Sequence, residues 1–323
     1  MDWEKWCLRL GAGAVLLALT VRLFSGGAAE AVVETFAQPE IASALLFLET
    51  GRLMRPVPES ATEVQQEAAE GLALPVFSAQ DADLVSVNPV CGYDTDLQAW
   101  LAEPLSWKLK QDKPTVLIVH SHGTESYKNT ENYPEYTAYR TRDNDYNVVS
   151  VGAEIKKALE KGGISVLHDT ACHDDPSYTA AYSNSRKSIQ SYLEEYPSIE
   201  IVLDIHRDSV ENKDGKQVRY AVETPEGTSA KLMLVVGTDA NGLKHPNWPA
   251  NMAFGVKLHA LLERNTPGIC RPISFRKQRF NQDLSPGALI VEVGSAGNTR
   301  QEALLAGKYL AEAILELSGG AKT

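Results

Sequence analysis

Short β-branched apolar runs alternate along this chain with longer segments of helical spacing. The runs lie at 115–120 (TVLIVH), 164–168 (ISVLH), 199–205 (IEIVLDI), 230–236 (AKLMLVV) and 288–293 (ALIVEV). Each is short and bounded by Gly, Pro or polar residues, so it reads as a buried strand rather than a helix. Residues 147–161 carry apolar positions at helical spacing and stop at Gly162-Gly163, a favoured C-terminal cap. Further helices are expected at 179–196, closed by Pro197, at 251–264, with Phe254, Leu258, Leu261 and Leu262 on one face, and at 299–317. Asp214-Gly215 marks a hairpin turn. Strands alternating with helices predict an α/β fold: a mostly parallel twisted sheet with helices on both faces. Catalytic groups in such folds gather at the carboxyl ends of the strands.

Before Pro114 the pattern changes. Residues 10–21 form an uncharged apolar run bracketed by Arg9 and Arg22 and flanked by Trp3, Trp6 and Phe24. This predicts a membrane anchor over 1–25, with a cleaved signal as the competing reading. Residues 28–53 read as two short amphipathic helices interrupted by Pro39. Residues 54–112 read mostly as linker, punctuated by Pro56, Pro58, Pro75, Pro89 and Pro104, with short apolar stretches able to pair at a sheet edge. The expected organisation is therefore an anchor at 1–25, amphipathic helices and linker at 26–112, and a catalytic domain at 113–323. Such a chain is a single-pass membrane protein with its catalytic domain on the extracytoplasmic side.

Composition adds two exclusions. The 323 residues carry a formal net charge of −11, which argues against a nucleic-acid partner, since that needs a basic footprint. The four cysteines, Cys7, Cys91, Cys172 and Cys270, show no CxxC spacing. They read as small buried thiols rather than a zinc ribbon or redox pair.

The chemistry concentrates at three strand ends. His122 and Glu125 lie in HSHGTES, His206 in VLDIHRDS and Glu292 in LIVEVG. Two imidazoles and a carboxylate around an open fourth position form the ligand set of a hydrolytic zinc site. A further carboxylate takes the proton of the attacking water, and burial among Val and Ile suits Glu292 to that task. Asp143, just before the helix at 147, competes with Glu125 as third ligand. Arg207 is a candidate for holding a substrate carboxylate. Asp208 is a candidate for orienting His206, and His120 for orienting His122 or simply packing. Tyr178, Tyr182 and Arg186 recur at helical spacing, as a groove lining or a packed face. Asn281, Gln282 and Asp283 are candidates for binding peptide amides or for merely building a loop, while His168, His173, His245 and His259 read as structural.

Taken together and in order, HSHGTES, YNVVSVG, VLDIHRDS, FNQDLSP and LIVEVG make the chain from about Pro114 onward resemble the stage II sporulation protein P family. The resemblance implies a zinc-dependent N-acetylmuramoyl-L-alanine amidase that cuts the lactyl-amide bond of peptidoglycan, with an added endopeptidase activity on cross-links. It implies a role in septal thinning and engulfment during endospore formation, on the mother-cell membrane, with stage II sporulation proteins D and M as partners. It matches the amidases' first ligand to His122, their second histidine to His206 and their catalytic Glu to Glu292. Their carboxylate ligand falls at Asp143, whereas the His-x-x-Glu of related zinc carboxypeptidases falls at His122 and Glu125, so the third ligand stays open. A carboxypeptidase or deacylase on another amide and a non-catalytic wall-binding scaffold are the competing readings.

Overall fold

The computed structural model describes residues 74–105, 107–109, 112–130 and 139–319. The expected anchor at 1–25, the amphipathic pair at 28–53 and the first part of the linker lie outside the described residues. Among the described residues no helix is long and apolar enough to cross a membrane.

Among the described residues nine strands are present: β1 (Val87–Pro89), β2 (Val116–Val119), β3 (Val166–His168), β4 (Ile201–Asp208), β5 (Ala221–Thr224), β6 (Gly227–Ala230), β7 (Leu232–Val236), β8 (Ile273–Phe275) and β9 (Gly287–Ser295). The helices are α1 (Leu97–Ala102), α2 (Val148–Lys161), α3 (Ala181–Glu195), α4 (Trp248–Asn265) and α5 (Arg300–Leu317). Seven strands form one sheet in the order β1-β8-β7-β9-β4-β2-β3, and β5 and β6 form a separate hairpin. All neighbours in the large sheet run parallel except β7 and β9. The exception follows from the connection. The chain passes from β4 through the β5–β6 hairpin into β7 with no intervening helix, so no crossover forces β7 to run with β4.

Both faces of the sheet are covered, which is why its central strands are continuous apolar runs. On one face Leu117, Val119, Val202 and Ala288 pack with Ile189 of α3. On the other, Ile118, Leu203 and Val291 join a larger core with Ile155 of α2, Phe254 of α4 and Ile314 of α5. Each such side chain, fully removed from water, contributes about 1.5–3 kcal/mol. Helix starts are fixed locally. The Asn147 side chain accepts from Val149 N–H at 2.8 Å, and Thr299 and Glu302 form a capping box at the start of α5. Loss of either cap costs about 1 kcal/mol.

The segment read mostly as linker contributes to this core from Phe77 onward. β1 adds an edge strand against β8, and Val85, Cys91, Leu101 and Trp107 are buried in the larger core. The Trp107 ring stands edge-on to Phe254 at 5.3 Å. A three-residue strand ending in Pro89 has too little alternation to announce itself, and an edge is where a strand tolerates proline.

Candidate active site

β4 and β9 build the centre of the site. Their parallel register sets His206 directly beside Glu292. Because strand side chains alternate, Asp204 and His206 share one face, the one covered by α3. β2 ends at Val119, level with Asp204, and the chain then turns through residues 121–124, carrying His122 and Glu125 over the end of β4. Beyond Glu292 the register slips: His206 and Asp208 of β4 face Glu292 and Ser295 of β9. Gly294 takes up the slip with φ +66, where an added Cβ would stand 2.8 Å from the Asn298 side chain and 2.9 Å from Ala230. Such bulges re-aim strand side chains beside functional sites.

The rings of His122 and His206 lie 5.4 Å apart at 77°. Glu125 places Oε2 3.4 Å from His206 Nδ1. On the far side of the same ring, Asp204 Oδ1 is 2.8 Å from Nε2. Glu125 also accepts from the Arg207 backbone N–H at 3.2 Å, and the guanidinium groups of Arg207 and Arg140 stand 3.6 and 3.8 Å from it. Tyr178 stacks on His122 at 4.2 Å, and Tyr182 of α3 faces His206 at 6.3 Å. A cavity of about 620 Å³ opens beside His122, lined by Thr124, Arg140, Arg142, Asp174 and Tyr178 among others. His122 Nδ1 and Glu292 Oε2 are buried without a hydrogen-bond partner.

Electrostatics separates the two glutamates. Burial pushes Glu292 up and dominates; His206 pulls it down, Glu125 and Asp208 push it further up, and the carboxyl stands at about 8. Burial acts on Glu125 in the same sense, but His206, Arg207 and His122 overcome it and hold that carboxyl at about 2. Asp204 behaves like Glu125: burial raises it, while His206 and the hydrogen bonds from Ser121 hold it at about 2. For His206 burial favours the neutral ring, yet Asp204, Tyr182 and Glu125 together raise it well above its ordinary value. Burial and His206 both lower His122. Two carboxylates pushed apart in this way are suited to different tasks.

His122, Glu125, His206 and Glu292 are thus brought together. Asp143 is half-buried and closes a turn, its Oδ1 accepting from Asp145 N–H at 3.0 Å, whereas Glu125, the other third-ligand candidate, stands against His206. Arg207 is buried and clamps backbone: it donates to the carbonyls of Ser126 and Tyr139, each at 2.9 Å. Asp208 pairs with Arg271 at 2.7 Å and not with His206. Asn281 donates to the Tyr182 carbonyl and the Ser185 hydroxyl, both at 3.0 Å. Gln282 bridges Gly237 N–H and the Val235 carbonyl, both at 2.7 Å. Asp283 holds Arg186 through two 2.8 Å bonds. The FNQDLSP polar run therefore fastens its loop to β7 and α3, because a chain crossing strand ends must satisfy its buried polar groups.

The remaining histidines follow the same logic. His120 packs with His168 on the α2 side, Nε2 to Nε2 at 2.8 Å, and His173 pairs with Asp169 at 2.9 Å. His245 and His259 are buried. Cys91, Cys172 and Cys270 are free thiols. The residues that sequence reasoning passed over are Asp204, Ser121, Arg140 and Asp174. Asp204 alone left a signal, since it precedes His206 by two positions in a strand and so shares its face. Among the described residues no group of three His, Cys, Asp or Glu side chains closes to metal-holding geometry.

Comparison with known proteins supplies relatives. The N-acetylmuramoyl-L-alanine amidase AmiC2 of Nostoc punctiforme covers 63% of this chain and 94% of its own, at 15% identity and a TM-score of 0.37. The CwlD amidase of Clostridioides difficile, solved with the GerS lipoprotein, covers 64% and 95% at 12% identity and a TM-score of 0.40. Stage II sporulation protein P of Bacillus subtilis (strain 168) is 29% identical over 221 residues, 64% of this chain and 51% of that protein, so the chain spans about half the length of this relative. The family model for stage II sporulation protein P matches residues 55–315. The chain belongs to the stage II sporulation protein P family.

Proposed function

We propose that the chain hydrolyses the amide joining glycan to stem peptide in peptidoglycan, as a zinc-dependent N-acetylmuramoyl-L-alanine amidase. The observation that carries this reading is Glu292: a half-buried acid at about 8 whose Oε2 is buried and unpartnered, beside a histidine ringed by carboxylates. The donor types, two imidazoles and a carboxylate, are those of a zinc site. His122 Nδ1 is buried and unpartnered. The 3.4 Å between Glu125 Oε2 and His206 Nδ1 matches the about 3.3–3.4 Å between two ligands of a tetrahedral ion with bonds of about 2.0–2.1 Å. His122, Glu125 and His206 would hold the ion, with Glu125 preferred to Asp143 for its contact with His206. Bound there, zinc would supply Lewis acidity toward the amide carbonyl and toward water.

The chain's own groups do the rest. Glu292 takes the proton of the attacking water as oxygen adds to the carbonyl carbon, and returns it to the leaving amine as the carbon–nitrogen bond breaks. Arg140, fixed to Asp174 at 3.0 Å, and Tyr178, 54% exposed, form the wall along which the stem peptide lies. The same reading extends to cleavage of cross-links and to septal thinning and engulfment during endospore formation. It includes stage II sporulation proteins D and M as partners, and an N-terminal anchor that holds the domain between the mother-cell and forespore membranes. Purified sacculi incubated with the full chain test the reaction: new alanine amino termini on released stem peptides, with the glycan strands left intact, are expected. Release of carboxyl-terminal amino acids instead makes the chain a carboxypeptidase, and wall binding with no release makes it a scaffold.

A further inference from the structure

We infer that Asp204 is a positioning residue that fixes the orientation of His206, taking its Nε2 side and leaving Nδ1 for the metal; the inference rests on the zinc amidase reading of the same site. The His206 ring separates two carboxylates, with Glu125 3.4 Å from Nδ1 and Asp204 2.8 Å from Nε2. They are not equivalent. Glu125 is shared among Arg207, Arg140 and His206, whereas His206 is the ion-pair partner of Asp204 among the described residues. The 2.8 Å approach lies off the ring N–H axis, so it is an ionic contact and not a formed hydrogen bond. An imidazole whose far nitrogen faces a carboxylate keeps its proton there and offers the other lone pair.

Asp204 is itself held in place by a directed chain of donors. It is 6% exposed. Its Oδ1 accepts from Ser121 N–H at 2.8 Å and its Oδ2 from the Ser121 hydroxyl at 2.6 Å. With that hydroxyl committed, the Ser185 hydroxyl of α3 donates to Ser121 across 2.7 Å, a closer acceptor than the Tyr182 carbonyl at 3.4 Å. Asn281 Nδ2 then donates to Ser185 at 3.0 Å. The polar run before β9 thus reaches His206 through Ser185, Ser121 and Asp204, which gives Asn281 a positioning task in place of a substrate contact. Asp208, the other acidic neighbour of His206, is committed to Arg271 at 2.7 Å.

The test uses the full chain labelled with ¹⁵N-histidine and loaded with zinc. In the wild type, His206 Nδ1 should show the metal-bound shift and Nε2 should carry the proton. Chelator competition should show Asp204→Asn losing about 10- to 100-fold in zinc affinity, the range expected when an outer partner of a ligand is removed. Ser121→Ala, which loosens Asp204 but keeps its charge, should lose less. Asp208→Asn should retain wild-type affinity, and circular dichroism should show each variant folded. A metal-bound Nε2, or wild-type affinity in folded Asp204→Asn, overturns the assignment even if the chain cleaves wall. Zinc on Nδ1 with the predicted loss in Asp204→Asn, but no cleavage of sacculi, supports Asp204 and sinks the amidase reading alone. A wild-type chain that takes up no zinc at His206 overturns both.

Discussion

Two histidine pairs stand on opposite faces of the same sheet, and their rings are arranged almost alike. His122 and His206 meet at 5.4 Å and 77°; His120 and His168 meet at 5.1 Å and 64°. The first pair has carboxylates against it, and His206 is raised well above its ordinary value. The second pair bonds to itself and to the Ile205 carbonyl at 3.0 Å. Burial and His168 hold His120 at about 3, and burial and Lys156 hold His168 at about 4. Proximity of imidazoles therefore does not make a site. Buried negative charge beside them favours a cation in the space they share.

The sharpest way to break this comparison is to treat both faces alike. Glu292→Gln should fold, keep zinc and lose roughly 100- to 10,000-fold in turnover, the range for a removed general base. His168→Gln, on the other face, should leave turnover per folded molecule unchanged. Sacculus digestion with both variants checks the contrast, and near-normal turnover in Glu292→Gln would end the general-base assignment. The same preparations decide the third ligand: zinc content should collapse in Glu125→Gln and persist in Asp143→Asn, and the reverse would restore Asp143.

Next in size is a change confined to the quiet face. Gly152 of α2 leaves room for the His120–His168 pair; a Cβ there would stand 2.7 Å from both rings. Gly152→Ala should destabilise by about 1–3 kcal/mol through overpacking. At about 2–4 °C per kcal/mol for a domain of this size, thermal melting reads the loss directly. Turnover per folded molecule should survive, since the catalytic face is untouched.

How much of this was legible in the sequence depends on the kind of residue. His122, Glu125, His206 and Glu292 stood out because an ionisable group at the end of an apolar run has to be explained. The five strong strands and α2 through α5 were legible because their periods are long enough to read. β1 was not, being three residues long and edge-bound. Nor was the reversal between β7 and β9, since alternation carries no information on direction. Asp204 was absorbed into the run IEIVLDI as if it were part of an apolar strand. Asn281, Gln282 and Asp283 were legible as a polar run suited to binding amides or to building a loop, and in the structure their side chains bond to α3 and the end of β7.

The contrast that sets the two faces most clearly against each other is the pH dependence of stability in the metal-free chain. Glu292 moves from an ordinary 4.5 up to about 8. Its contribution is complete below about 4.5 and is lost as pH rises through 8, because ionisation then places charge in a buried site. His206, also raised, adds a loss on the same alkaline side once the ring gives up its proton. His120 and His168 move down from 6.5 to about 3 and about 4. Their contribution is complete above 6.5 and is lost as pH falls toward 3, when protonation would charge a buried pair against the pull of burial. Glu125 and Asp204, both held at about 2, add to that acid loss below their ordinary carboxylate values. Urea melts of the metal-free chain across this range should therefore flatten on the alkaline side in Glu292→Gln and on the acid side in His168→Gln. A single variant that flattened both limbs would mean the two faces are coupled through β2 and β4, and the separation drawn between them would fail.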